Sequence, residues 1–272
     1  MRIRIPTLDL LENDRSLLTN SEWTLFSNVV HAYDRFSSTP TLDRILEDIS
    51  KSSDKSYFDS HNVLQVVDCV YTSMRSFVGS TPDFQVLSVN EQQSLFERNL
   101  LGISSFSSSI VFRHTNFLDN SICNNSFMQF YGCETIKQIK CLMKQLDLDL
   151  TLLKFMLLII AFSSNCLIID VHKNLRNDSL IFGTFRLYGS QNVYVELLWK
   201  YMIYRYGYNE TVIRFSNLIR CVLCKLKQVA SIYIDNFIIH DYVDDLTEKT
   251  KKMLVINQNQ LNPLWGKTFT YN

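Results

Sequence analysis

The sequence predicts an all-α fold, and three observations predict it. Only 7 of the 272 residues are Gly and 4 are Pro, too few turn formers for an all-β chain. Hydrophobic residues make up 46%, enough to bury a sizeable core in one domain. Through most of the chain, apolar residues recur at spacings of three and four, the period of a helix face. The helix that the others surround is predicted to begin at Ser88. With Glu91 three residues on, Ser88 forms a capping box in which hydroxyl and carboxylate each take a free amide. From there to Phe112, the residues Leu95, Phe96, Leu100, Leu101, Ile103, Phe106 and Ile110 lie among Ser and Gly with little charge. A helix without a polar face is a buried one.

In chain order, residues 1–17 read as an extended lead-in. Thr19 and Glu22 form a second capping box, and Phe26, Val29, Val30, Tyr33 and Phe36 share one face of the helix that follows, which ends at Ser37-Ser38-Thr39-Pro40. Thr41 to Tyr57 is charged and Ser-rich, with a short helical pattern at Leu42, Ile45 and Ile49, and is expected to be mobile or loosely packed. Ser60 to Val78 is the clearest amphipathic helix of the N-terminal half. Val63, Val67, Val70, Met74 and Phe77 recur there by fours and threes until Gly79 and Pro82 end it. Arg113 to Gly132 is polar and rich in Asn, and is expected to form a small β-ribbon anchored by Phe127, Phe130 and Tyr131.

Glu134 to Leu146 is helical again through Ile136, Ile139 and Met143. Asp149 then opens the apolar run Leu150 to Phe162. Lys154 interrupts that run, and Ser163-Ser164-Asn165 ends it short of the ~20 residues a bilayer span needs, so it reads as a buried core helix. Cys166 to Gly189 mixes a β-like Leu167-Ile168-Ile169 with a loop at Lys173 to Ser179. Ser190 is expected to cap a helix carrying Tyr194, Leu197, Leu198, Tyr201 and Tyr204, which stops at Gly207. From Phe215 to Phe237 runs one long apolar seam, of a length that often packs against a second subunit. Residues 257–272 form a polar tail with Pro263 and Trp265.

Composition narrows the function. The formal net charge is zero, which argues against a phosphate-binding surface, so no direct nucleic-acid contact is expected. The 7 cysteines are irregularly spaced and read as free thiols in a reducing compartment. Cys221 and Cys224 form the single CxxC, and one pair cannot close a four-ligand zinc site, so packing rather than metal is expected. No nucleophile, base and orienting group converge by spacing, so no enzyme and no cofactor are expected.

The stretch Phe84-x-x-Leu87-x-x-x-Glu91-Gln92-x-x-Leu95-Phe96, following Pro82, resembles the signature of the nuclear hormone receptor ligand-binding domain, F-x-x-L-x-x-x-D-Q-x-x-L-L. Thr151 to Asn165 resembles that family's eighth helix, with Ser163-Ser164-Asn165 where Asn-Pro-Asp is common. Arg214-Phe215-x-x-Leu218-Ile219 is similar to the family's R-F-x-x-L-L, and Leu226-Lys227-Gln228-Val229 to its L-R-x-I. The resemblance covers residues 18–256. It implies a three-layer antiparallel sandwich of about 10–12 helices that binds a small lipophilic ligand internally, acts in the nucleus on transcriptional coregulators, and forms a homodimer or a heterodimer with another receptor.

Candidates to line the pocket, each with plain core packing as its other reading, are Leu64, Val67, Thr72 and Met74 before the central turn, Ile103, Phe106, Ser107 and Ile110 after it, and Phe237 late in the chain. Arg113 and His240 are the polar candidates, with a structural salt bridge as the other role for Arg113. Arg214, Phe215, Leu218, Ile219, Val222 and Leu226 are the expected dimer residues. In the family a Lys and a Glu clamp the ends of a coactivator LxxLL helix. Here Gly79 stands at the Lys position, Leu254 stands at the Glu position within Lys251 to Ile256, and Glu97 replaces a second basic groove residue. The degenerate clamp puts ligand-dependent activation in doubt, and the alternative is a ligand-independent dimerisation or corepressor-type module whose pocket is filled by side chains. The family's two zinc modules would precede residue 1, and the start at Met1 favours a complete chain lacking them over an excised domain.

Overall fold

The structure, a computed structural model, describes residues 18–51, 58–164, 166 and 180–257. Among these it is helical throughout, with eleven α-helices: α1 (Asn20–Phe36), α2 (Thr39–Lys51), α3 (Ser60–Gly79), α4 (Pro82–Gln85), α5 (Val89–His114), α6 (Ser121–Tyr131), α7 (Cys133–Gln145), α8 (Leu150–Ala161), α9 (Leu180–Tyr206), α10 (Tyr208–Asp235) and α11 (Phe237–Asn257). The expectations for the lead-in, for Leu167 to Ser179 and for the polar tail beyond Asn257 lie outside the described residues.

Helix α5 is the central element. Its start is the capping box expected from sequence: the Ser88 hydroxyl accepts from the Glu91 amide, and the Glu91 carboxylate accepts from the Ser88 amide at 2.8 Å. It packs against α3, α7, α8, α9, α10 and α11, which is why no polar face survives along it. Thr19 and Glu22 likewise cap α1, and Asp149 caps α8 by accepting from the Thr151 amide at 2.9 Å. Asp149 also accepts from the hydroxyls of Tyr201 and Tyr206, at 2.7 and 2.6 Å, and so fixes α9 across the start of α8. Lys154, within the apolar α8, is buried with its ammonium 2.5 Å from the Asp34 carboxylate. No described helix is long and apolar enough to cross a membrane.

The signature residues tie α4 to α5. Phe84 and Phe96 are buried with ring centroids 4.6 Å apart, alongside buried Leu87 and Leu95. The Gln92 amide donates to the carbonyls of Phe84 and Leu87, at 3.0 and 3.2 Å, and so ties the linker between α4 and α5 to the first turns of α5. Asp83 accepts from Tyr194 at 2.6 Å and Ser190 at 2.8 Å, which draws α9 onto the same corner.

Four expectations are corrected. Arg113 to Gly132 forms no β-ribbon: Asn120 accepts from the amides of Ile122 and Cys123 and caps α6, and Cys123, Ser126 and Phe127 bury one helical face. The Asn residues there signal a helix start, not a hairpin. Thr41 to Lys51 is not loose, because α2 buries Leu42 and Ile49, and Pro40 sits in the first helical turn, where its missing amide costs nothing. Ser190 caps no helix: α9 begins at Leu180, and Ser190 lies inside it, bonded to Asp83. The long apolar seam divides at Asn236. Its Leu218, Val222, Leu226, Val229 and Tyr233 are buried against this chain's own core, whereas Phe237 opens α11 with 75% of its surface exposed.

The core has two clusters. The larger runs from α1 and α3 through α5 to α8, α9, α10 and α11. The smaller joins Leu42, Phe58, Val63, Val66, Phe112, Phe117 and Phe127 around the far end of α5.

Candidate functional site

Where the two clusters meet, packing leaves a cavity of about 80 Å³. Its walls come from both: Val66, Phe112, Phe127 and Ile139 from the smaller cluster, and Val70, Tyr71, Val229 and Tyr233 from the larger, with Val67 and Leu101 beside them. Helix α5 contributes Ser104, Ser105, Ser108 and Ser109, small side chains that hold the wall back from α3 and α10. Helix α11 closes one side with Ile239 and Val243.

Three polar groups in this wall stand out. Lys225 is buried to 5% exposure, and among the described residues its ammonium meets one acceptor, the Gln228 side-chain oxygen at 3.4 Å, and no carboxylate. Burial pulls its pKa from the ordinary 10.5 down to about 8, since removing an ammonium from water disfavours the charged form. The hydroxyls of Tyr71 and Ser104 are buried without a hydrogen-bond partner. Buried polar groups are normally paired, and an unpaired one costs ~1–3 kcal/mol. Tyr233, by contrast, is satisfied, donating to Asp244 at 2.6 Å.

Of the residues expected to line the pocket, Val67 alone does so among those assigned to this cavity. Met74, Ile103, Phe106 and Ser107 are buried in the core on other faces of α3 and α5, and Ile110, also buried, borders a separate hollow with Tyr33 and His114. Leu64 is half-buried and offers its carbonyl to the Tyr242 hydroxyl at 3.2 Å, and Thr72 is exposed. Phe237 lies at the surface. His240 stacks on Tyr233 with its side chain 42% exposed beside Asp241 and Asp244, and is not among the residues that wall this cavity. Arg113 is structural but not as a salt bridge: it donates to the backbone carbonyls of Leu146 and Asp147, both at 2.7 Å, and holds the turn between α7 and α8.

The cation that faces this cavity is Lys225, not Arg113. One signal pointed to it. Leu218, Cys221, Lys225 and Val229 follow at spacings of three and four, so this lysine falls in register with the buried face of α10.

A second concavity lies on the surface. An open groove of about 430 Å³ runs between the ends of α3 and α5, floored by Phe84, Leu87 and Phe96, with Met253 and Leu254 of α11 at one edge. Helix α11 is pinned there by the Lys251 ammonium on the Glu97 carboxylate at 2.6 Å and by Gln93 donating to the Lys251 carbonyl at 3.0 Å. Arg75 reaches the Met253 sulfur at 2.9 Å. Gly79 leaves the other rim open, with no atom within 4 Å of where a Cβ would stand. Among the described residues no cluster of His, Cys, Asp and Glu could hold a metal. Of the expected dimer residues, Arg214 pairs with Asp147 and Glu210 at 3.0 and 2.8 Å, and Leu218, Val222 and Leu226 are consumed by the core. Phe215 and Ile219 remain half-buried, on one stripe with exposed Tyr208, Val212 and Leu223.

No family model matches the chain, and no curated protein matches it.

Proposed function

We propose that this chain is the ligand-binding domain of a nuclear receptor-like transcription regulator, built as a three-layer helical sandwich, acting in the nucleus and catalysing no reaction. The observation that carries the reading is the cavity beside α5, whose wall holds an ammonium with one weak acceptor and two hydroxyls without a partner among the described residues. A fold that only needed to pack would place apolar groups there. The central, fully surrounded α5 and the knot made by Phe84, Gln92 and Phe96 support the architecture. The groove edged by Met253 and Leu254 supports contact with a coregulator helix, without the charge clamp that activation would use. Native mass spectrometry of the purified chain tests the reading. A small bound molecule, lost on mutation of the cavity wall, is expected; a ligand-free chain that also resists every small-molecule probe would refute it.

A second reading is a ligand-independent dimerisation or corepressor-type module. It is favoured by the cavity's size, below the ~300–1,000 Å³ of drug-sized sites, and by the stripe Tyr208, Val212, Phe215, Ile219 and Leu223 along α10. Light scattering separates the two. A dimer broken by V212E/L223E while the cavity stays empty supports the module.

A further inference from the structure

We infer that the cavity selects a short-chain monocarboxylate whose carboxylate pairs with the Lys225 ammonium while its apolar body fills the space between Val67, Val70 and Phe127. This rests on the reading of the cavity as a ligand site and names its ligand class. The charge requirement comes from Lys225: a buried ammonium with a single weak acceptor at 3.4 Å lacks, among the described residues, the counter-charge that buried cations normally have. A carboxylate supplies it, and its second oxygen offers an acceptor to the orphaned hydroxyl of Tyr71 or Ser104. The size limit comes from the volume of about 80 Å³. That is smaller than the ~150 Å³ engineered cavity that admits benzene, so a long acyl chain exceeds it. Water could also occupy so polar a void, and the experiment treats that as an outcome.

The test compares matched acids and alcohols on the full chain by NMR titration: propanoate against butan-1-ol, and butanoate against pentan-1-ol, with dodecanoate as the long-chain arm. The acids are expected to bind at least ~10-fold tighter than the alcohols, a difference of the size charge-assisted pairing produces. Lys225→Met should reduce that ratio to about one while leaving alcohol binding intact, and Tyr71→Phe should weaken the acids ~5-fold, as loss of one hydrogen bond does. Dodecanoate should gain nothing over butanoate. Equal binding of acids and alcohols to the wild type would overturn the carboxylate assignment and leave the ligand site standing. Much tighter dodecanoate binding would overturn the size limit and point to a lipid acyl chain as source. If neither probe class binds at millimolar concentration and a crystal structure places only waters on Lys225, both the inference and the ligand-site reading fall.

Discussion

Lys225→Met is expected to make the protein more stable, an unusual outcome for a buried substitution. The ammonium in the cavity wall titrates near 8 in the folded chain against an ordinary 10.5. Each pKa unit corresponds to ~1.4 kcal/mol, so below pH 8 the buried charge costs about 3 kcal/mol of stability. Methionine keeps the length of the stem without the charge, and the gain should appear at pH 7 as an increase of about 3 kcal/mol in unfolding free energy, or roughly 6–12 °C in Tm for a domain of this size. The pH dependence fixes the cause. Between about 8 and 10.5 the unfolded chain holds the lysine proton and the folded chain has released it, so the Lys225 contribution to stability rises with pH across that window and the advantage of the variant shrinks. The other titratable groups lining the cavity are Tyr71, Tyr131 and Tyr233, and burial pushes all three above the ordinary tyrosine range, so none gains charge in that window. Urea denaturation of ligand-stripped wild type and variant at pH 7 and pH 10 measures both quantities. A variant less stable than wild type at pH 7, or a difference that ignores pH, would refute the reasoning.

Three further outcomes follow from named contacts. Asp83→Ala should cost ~2–4 kcal/mol in the same denaturation assay, because it strands the hydroxyl of fully buried Tyr194 and releases Ser190; a loss under 1 kcal/mol would mean that α9 is held by packing alone. Asn99→Leu should cost a similar amount, since the Asn99 side chain donates to the carbonyls of Ala161 and Ser163 at 2.9 and 2.6 Å and accepts from the Cys166 amide, closing the end of α8. Here hydrogen exchange localised to residues 158–166 is the sharper readout, and unchanged protection there would count against the assignment. An LxxLL peptide should bind the groove only weakly, because Gly79 and Leu254 place no charge at its ends; low-micromolar affinity in fluorescence polarisation, lost in Leu87→Asp, would overturn that expectation.

Helices that sequence could identify were those whose signals are local. Ser88 with Glu91 and Thr19 with Glu22 act over a single turn, and both capping boxes form as read. The burial of α5 was legible because an uncharged surface cannot face water. What failed was context. Asn120 suits a hairpin turn and a helix cap equally well, and only the burial of Cys123 and Phe127 on one face decides for the helix. The seam from Phe215 to Phe237 has one period on paper, yet it serves two helices, and its apolar side is spent on the chain's own core. The candidate site was hardest, since a cavity depends on which faces of α3, α5, α10 and α11 fail to meet. Met74 and Phe106 have the composition of a pocket wall, and close packing absorbs them.

Lys154 and Lys225 together show why the second is the informative one. Both interrupt apolar helix faces, and both are about 5% exposed. Lys154 reaches the Asp34 carboxylate and lies over the Tyr33 ring, so its burial is compensated inside the chain. Lys225 has no such partner among the described residues, and the void beside it is bounded by two more unpaired hydroxyls. Burial of a charge is explained by its counter-charge. For Lys154 the counter-charge is part of the fold; for Lys225 none stands among the described residues, and the proposed carboxylate would supply it.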